Sequence, residues 1–156
     1  MAKSTPATVA LRNAGIAFAL HEYDYDPGAE GVGVQAAEAM GIEPARLLKT
    51  LMAKTGGEAV CVLAPSGRDI SLKRLAAAAG AKDAAMLPVA EAERITGYRV
   101  GGISPFGQRR RVRVFIDESA LAFTTVMVNG GRRGLEIEVA PGDIMRLLEA
   151  SAAKLA

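Results

Sequence analysis

The chain has 156 residues, half of them hydrophobic and 23% charged, a composition that suits one compact domain over residues 1–156 and is that of a globular rather than a disordered chain. Nineteen Lys and Arg against seventeen Asp and Glu leave a net charge of +2, so only a local basic patch, not bulk charge, could favour nucleic acid. A single cysteine excludes an internal disulfide and, with a single histidine, leaves almost nothing for a zinc site; apolar runs such as Ala59 to Ala64 are too short to cross a membrane.

These counts predict a cytoplasmic protein with no cofactor, no metal and no membrane partner, and Met1 to Pro6 lacks the apolar core of a signal peptide. In chain order, Thr5 is a candidate cap with Pro6 at the first helical position. Ala7, Ala10, Leu11 and Ala14 then recur at helical spacing before Gly15. Ile16 to Tyr25 reads as extended, ending in the turn signal Asp26-Pro27-Gly28. A loop with Gly28, Gly31 and Gly33 leads into a short helix from Val34 to Met40. Arg46 to Ala53 and Glu58 to Ala64 read as a hairpin around Gly56-Gly57, the second strand apolar on both faces and therefore central.

Ser71 caps a helix carrying Leu72, Leu75, Ala76 and Ala79, with Gly80 at its end. A short segment, Ala84 to Leu87, precedes a helix from Pro88 to Ile95. Gly97 to Gly107 is too rich in glycine for regular structure. Strands follow at Arg111–Ile116 and Thr124–Val128, with a helical turn between them at Glu118–Leu121. Leu135 to Val139 alternates apolar and acidic residues, and a last helix from Pro141 turns Ile144, Leu147 and Leu148 inward. This order predicts a mixed α/β (α+β) domain whose sheet curls toward a barrel wrapped by helices.

Several chemistries have no support. Cys61 sits inside an apolar strand, where a buried inert thiol is expected, and His21 opens a strand as a surface or satisfied histidine. No G-x-S-x-G, Walker or G-x-G-x-x-G string occurs. Lys49, between Leu48 and Thr50 in an apolar strand, either points to solvent or serves a pocket as its cation. Thr50 alone reads as a β-former, Glu136 as part of a solvated acidic strand face, and Gly101-Gly102-Ile103-Ser104 as a tight turn or a loop open to a ligand. Arg109-Arg110-Arg111 with Arg113, and Arg132-Arg133, suit phosphates or a solvated strand end equally. Aromatic residues are too few, at 4%, for a base-stacking platform.

Taken together in order, His21-Glu22-Tyr23-Asp24-Tyr25-Asp26-Pro27, Leu48-Lys49-Thr50-Leu51, Gly97-Tyr98-Arg99-Val100-Gly101-Gly102-Ile103-Ser104-Pro105-Phe106-Gly107 and Gly130-Gly131-Arg132-Arg133-Gly134-Leu135-Glu136-Ile137 resemble the bacterial YbaK/EbsC family of aminoacyl-tRNA deacylases. The resemblance implies a trans-acting editing domain related to the insertion domain of prolyl-tRNA synthetases. Its expected substrate is Cys-tRNA(Pro), with Cys-tRNA(Cys) as an extension, and its expected partners are tRNA(Pro) and prolyl-tRNA synthetase. It places catalytic roles on Lys49, Gly101 and Gly102, and substrate contacts on Tyr23, Val32, Thr50, Ile103, Ser104 and Glu136; Arg132 and Arg133 are then candidates for tRNA. The family chemistry needs no enzyme nucleophile, because the cysteinyl thiol attacks its own ester. Two positions depart from the family pattern: Val32 replaces a phenylalanine and Glu136 an aspartate. An Ala- or Ser-tRNA deacylase and a non-catalytic tRNA- or synthetase-binding module are the alternatives.

Overall fold

A computed structural model describes residues 4–24 and 32–156. The Asp26-Pro27-Gly28 turn and the loop glycines Gly28 and Gly31 lie outside the described residues. Helix α1, Pro6–Asn13, starts as its sequence dictates: the Thr5 hydroxyl accepts from Thr8 N–H at 3.2 Å, and the Thr8 hydroxyl accepts from Thr5 N–H at 2.9 Å. Among the described residues strand β1 is shorter than expected, Ala19–Glu22, the four residues that pair with a neighbouring strand; Tyr25, the expected end of the segment, lies outside the described residues. Helix α2 spans Val32–Met40, beginning two residues before the predicted start.

The hairpin forms as expected, with β2 at Leu48–Thr55 and β3 at Glu58–Pro65 paired in register from Leu48↔Pro65 to Thr55↔Glu58. Arg46 falls outside β2, since Pro44–Arg46 makes a single 3₁₀ turn. Helix α3, Leu72–Ala79, is capped by Ser71 and stopped by Gly80 in the left-handed conformation. Strand β4 (Ala84–Met86), helix α4 (Val89–Thr96), β5 (Arg113–Asp117), β6 (Val126–Asn129), β7 (Leu135–Val139) and α5 (Pro141–Leu148) follow in the predicted order. One strand, β8 at Ser151–Ala153, was not expected; it pairs in parallel with β5.

The strands make two sheets, ordered β1-β7-β6 and β4-β2-β3-β5-β8, and not a closed barrel. The first is antiparallel; the second is mixed, with antiparallel β4-β2-β3 and parallel β3-β5-β8. An isolated parallel bridge, Leu47↔Met127, joins them. Alternation along β3 sorts its residues into two cores. Cys61 and Leu63 pack with Val126, Val128, Ile137 and helix residues Leu11, Ile95 and Ile144, while Val60 and Val62 pack with Phe115, Leu75 and Leu155. A strand buried on both faces is central, as its apolar run predicts. Each fully buried Leu, Ile or Phe contributes about 1.5–3 kcal/mol by transfer from water. The core therefore fixes where the two sheets part.

Candidate functional site

Where they part, a cavity of about 320 Å³ opens. Its cause is a gap in strand pairing. Among the described residues, strand β4 pairs with β2 only over Ala53–Thr55, and β6 bridges to the segment before β2 only at Leu47, so no strand covers the outer edge of β2 between them. The gap is closed by α4 through Val89 and Ala92, by the glycine loop through Val100, Gly101 and Ile103, and by Tyr23, Asn129 and Glu136.

Strand alternation decides which backbone groups face this gap. The Leu47 carbonyl accepts from Ser66 N–H on the β3 side at 2.9 Å, whereas the Met52 carbonyl accepts from Leu87 N–H on the opposite side at 3.1 Å. Thr50, two residues from Met52, therefore directs its N–H and C=O to the uncovered side. Its hydroxyl and that of Ser66, both on lining residues, are buried and have no hydrogen-bond partner among the described residues. A buried hydroxyl left unpaired costs about 1–3 kcal/mol, a cost tolerated mainly at functional sites.

Glu136 gives the cavity its acid. It is only 4% exposed, and burial pushes its carboxyl up to about 8. Among the described residues only Asn129 bonds to it, donating from Nδ2 at 3.4 Å to one carboxyl oxygen and at 3.3 Å to the Gly101 carbonyl. The solvated-face reading of Glu136 is therefore corrected: that face of β7 turns into the cavity at this residue. Lys49 is also in the lining, and its ammonium donates to the Arg68 carbonyl at 2.5 Å.

Of the residues expected at the site, Tyr23, Lys49, Thr50, Gly101, Ile103 and Glu136 line this one cavity. Ser104 does not. It is fully buried, and its hydroxyl accepts from Phe106 N–H at 3.2 Å. Gly102 is outside the lining as well, and its N–H is committed to the Arg99 carbonyl at 2.8 Å. The backbone of Val32 opens α2; its side chain lies outside what is described.

The two arginines expected to contact RNA brace the glycine loop. Arg133 donates through Nε and Nη2 to the Val100 carbonyl at 3.2 and 2.8 Å, and Arg132 pairs with Glu22 at 3.0 Å. A Cβ on Gly101 would stand 2.5 Å from Arg133 Nε, and one on Gly102 would stand 2.9 Å from the Arg132 Cα. Gly101 also has φ of +92°, where side chains are strained. The glycines are needed by this packing, independently of any ligand. Sequence reasoning missed Asn129 and Ser66; each precedes a glycine, a pattern that signals a turn and not a cavity wall.

No side chain offers a ready thiol. Cys61 is fully buried, and burial pushes its thiol up to about 12, against a weak contact from Gln108 Nε2 at 3.7 Å. His21 is bonded to Glu138 at 2.8 Å in the other sheet.

Comparison with known proteins decides the family. Residues 26–147 match the aminoacyl-tRNA editing domain. The chain belongs to that family. Over 138 residues this editing domain is 34% identical to the Enterococcus faecalis protein named "Putative Cys-tRNA(Pro)/Cys-tRNA(Cys) deacylase EbsC", covering 86% of this chain and 83% of that one. It is 25% identical over 99 residues to a proline–tRNA ligase of Desulforamulus reducens, covering 64% of this chain and 17% of the ligase. Its fold superposes with a TM-score of 0.84 on a solved structure described as "a putative trans-editing enzyme for prolyl tRNA synthetase", at 23% identity and with 97% of each chain covered. Among the described residues no helix is long and apolar enough to cross a membrane.

Proposed function

We propose that this editing domain acts in trans, in the cytoplasm, to deacylate tRNA(Pro) mischarged with cysteine, with Cys-tRNA(Cys) as a second substrate. The observation that carries the reading is the convergence of Tyr23, Lys49, Thr50, Gly101 and Glu136 on one cavity beside an unpaired strand edge. Cysteine and proline are close in size, so a synthetase discriminates poorly between them by binding, and a second site is required.

The buried, neutral Cys61 is no nucleophile; the cysteinyl thiol of the substrate is. Its sulfur attacks the ester carbonyl carbon of the same residue. The C–S bond forms, the C–O bond to the ribose breaks, and the ribose oxygen takes the proton that the thiol gave up. The products are free tRNA and a cyclic thiolactone. The protein's task is then orientation and charge stabilisation. Lys49 and the Gly101 N–H serve the developing oxyanion; Thr50 N–H and C=O hold the ester and amino groups against the strand edge. Glu136 receives the substrate ammonium, with Tyr23 as the opposite wall. Proximity to prolyl-tRNA synthetase delivers the correct tRNA.

The test is release of amino acid from Cys-, Ala- and Ser-tRNA(Pro) by wild type and Lys49→Ala. Loss of cysteine alone, reduced at least about 100-fold by Lys49→Ala, is the expected result, since one oxyanion donor is worth about 10²–10³ in rate. Serine keeps the shape and lacks the thiol, so turnover of Ser- or Ala-tRNA(Pro) would replace thiol attack with activated water. That outcome would trace to Val32 and Glu136, the two departures from the family pattern. No turnover on any substrate would favour a binding module.

A further inference from the structure

Between residues 94 and 113 lie six arginines and no Asp or Glu. All six are exposed, and the fold divides them. Arg94 lies 4.0 Å from Glu91, Arg111 pairs with Glu149 at 3.3 Å, and Arg113 donates to the Ala79 carbonyl while stacking over Phe115 at 4.8 Å. The guanidiniums of Arg99, Arg109 and Arg110 have no acceptor and no acid partner among the described residues.

Their backbones are nonetheless held firmly. Arg109 and Arg110 donate N–H to the Thr96 and Ile95 carbonyls at 2.9 and 3.0 Å, closing the last turn of α4. The Arg109 side chain lies along Gly97, where a Cβ would stand 3.5 Å from its Cβ and Nε. Arg99 immediately precedes Val100 and Gly101, which line the cavity. Arg99 thus stands next to the cavity's Val100, while Arg109 and Arg110 sit at the C-terminal end of α4, the helix whose earlier residues Val89 and Ala92 line the cavity; Arg110 also borders a separate surface depression with Glu58 and Glu149.

We infer that Arg99, Arg109 and Arg110 form a phosphate-binding rim that seats the single-stranded 3′ end of the RNA whose terminal ester enters the cavity. The inference rests on the reading given under Proposed function. It favours these three over Arg132 and Arg133, whose guanidiniums are already bonded to Glu22 and to the Val100 carbonyl. Guanidinium pairs with phosphate oxygens through two parallel bonds, and cations already paired with carboxylates cannot do so without first breaking those bonds. No tryptophan is present and aromatic residues are scarce, so the rim reads backbone charge and not bases, and it accepts any tRNA 3′ end.

The experiment uses the full chain and the triple variant Arg99→Gln, Arg109→Gln, Arg110→Gln. Affinity for uncharged tRNA is measured against salt concentration, and turnover is measured on Cys-tRNA(Pro) and on 3′-cysteinyl-adenosine, an ester with no phosphate. The triple variant is expected to bind tRNA about tenfold or more weakly, with the salt slope reduced by about 2 for three single-strand phosphate contacts. Its turnover of 3′-cysteinyl-adenosine should match wild type, which also shows that it is folded. The corresponding triple lysine variant should restore the slope. Lys54→Gln, Lys73→Gln, Lys82→Gln removes the same charge from exposed positions elsewhere and should leave affinity within about twofold. Unchanged affinity and slope in the arginine variant, or equal weakening in the lysine control, would overturn the rim. If wild type deacylates neither ester, the functional reading fails; a tRNA affinity that still depends on the three arginines would then uphold the rim by itself.

Discussion

Glu136 and Glu138 stand two residues apart on one face of β7, and the fold treats them in opposite ways. Glu138 accepts from the Thr125 hydroxyl at 2.6 Å, from His21 at 2.8 Å and from Arg46 at 2.9 Å; these bonds hold its carboxyl below the ordinary carboxylate range. Glu136 is buried, has one long contact from Asn129, and is pushed up to about 8. Glu138 ties β1, Thr125 at the entry to β6 and the Pro44–Arg46 turn together as a charged cross-link. Among the described residues no cation pairs with Glu136 in its desolvated cavity, which destabilises the fold and makes sense for a group that meets a ligand. One end of the face is arranged for stability, the other for chemistry.

Activity should separate the two most widely. A charge-assisted hydrogen bond to a substrate ammonium is worth about 1.5–3 kcal/mol, so Glu136→Gln should lower kcat/KM on Cys-tRNA(Pro) by about 10- to 100-fold. Glu138→Gln should stay within about threefold of wild type. Because the buried carboxyl ionises near 8, substrate affinity in wild type should rise with pH up to that point, and Glu136→Gln should lose this dependence. Equal losses in the two variants would erase the contrast.

Stability should separate them in the reverse sense. Glu136 binds its proton more tightly folded than unfolded, where its carboxyl is ordinary at about 4.5. Its protonated, buried form is therefore fully compatible with the fold below that value, and stability falls as pH rises from there toward 8, by up to about 1.4 kcal/mol per pH unit. Glu138 has the opposite sign: its contribution is present above its unfolded value and is lost as pH falls through its lowered folded value. Urea unfolding from pH 4 to 9 should show Glu136→Gln flattening the neutral limb. Glu138→Gln should flatten the acid limb and cost about 1–3 kcal/mol at pH 7. A Glu136→Gln profile parallel to wild type would mean that the carboxyl is not desolvated.

The contrast also marks what the sequence could convey. Local signals were legible: the Thr5 capping box, Ser71 and Gly80 at the ends of α3, and the hairpin turn at Gly56-Gly57 each act within a few residues. The apolar run of β3 showed its central position for the same reason. The candidate site was legible only through ordered motifs, and the fold brings Tyr23, Lys49, Thr50, Gly101 and Glu136 to the lining of one cavity. Periodicity alone misread Glu136, since alternation tells which residues share a face but not whether that face meets water. Arg132 and Arg133 looked like free cations because their acceptors, Glu22 and the Val100 carbonyl, lie more than thirty residues away in the chain. Strand β8 carries Ser-Ala-Ala, with no β-former, and exists because Phe115 to Asp117 offer it an edge.

The smallest effect concerns what places Glu136. Asn129 stands opposite it in the β6–β7 register, so the strand pairing by itself directs the carboxyl to the cavity side. The Asn129 amide adds two long contacts, to Glu136 and the Gly101 carbonyl, while its Oδ1 accepts a stronger bond from Gly131 N–H at 2.7 Å. Asn129→Ala should therefore act mainly on the turn, lowering stability by about 0.5–1.5 kcal/mol and kcat/KM by about threefold. The affinity profile of this variant should still break near pH 8. A break moved by a full pH unit would show that the amide, and not desolvation by the strand, sets the ionisation of Glu136, and the face of β7 would then differ from end to end through a side chain rather than through burial.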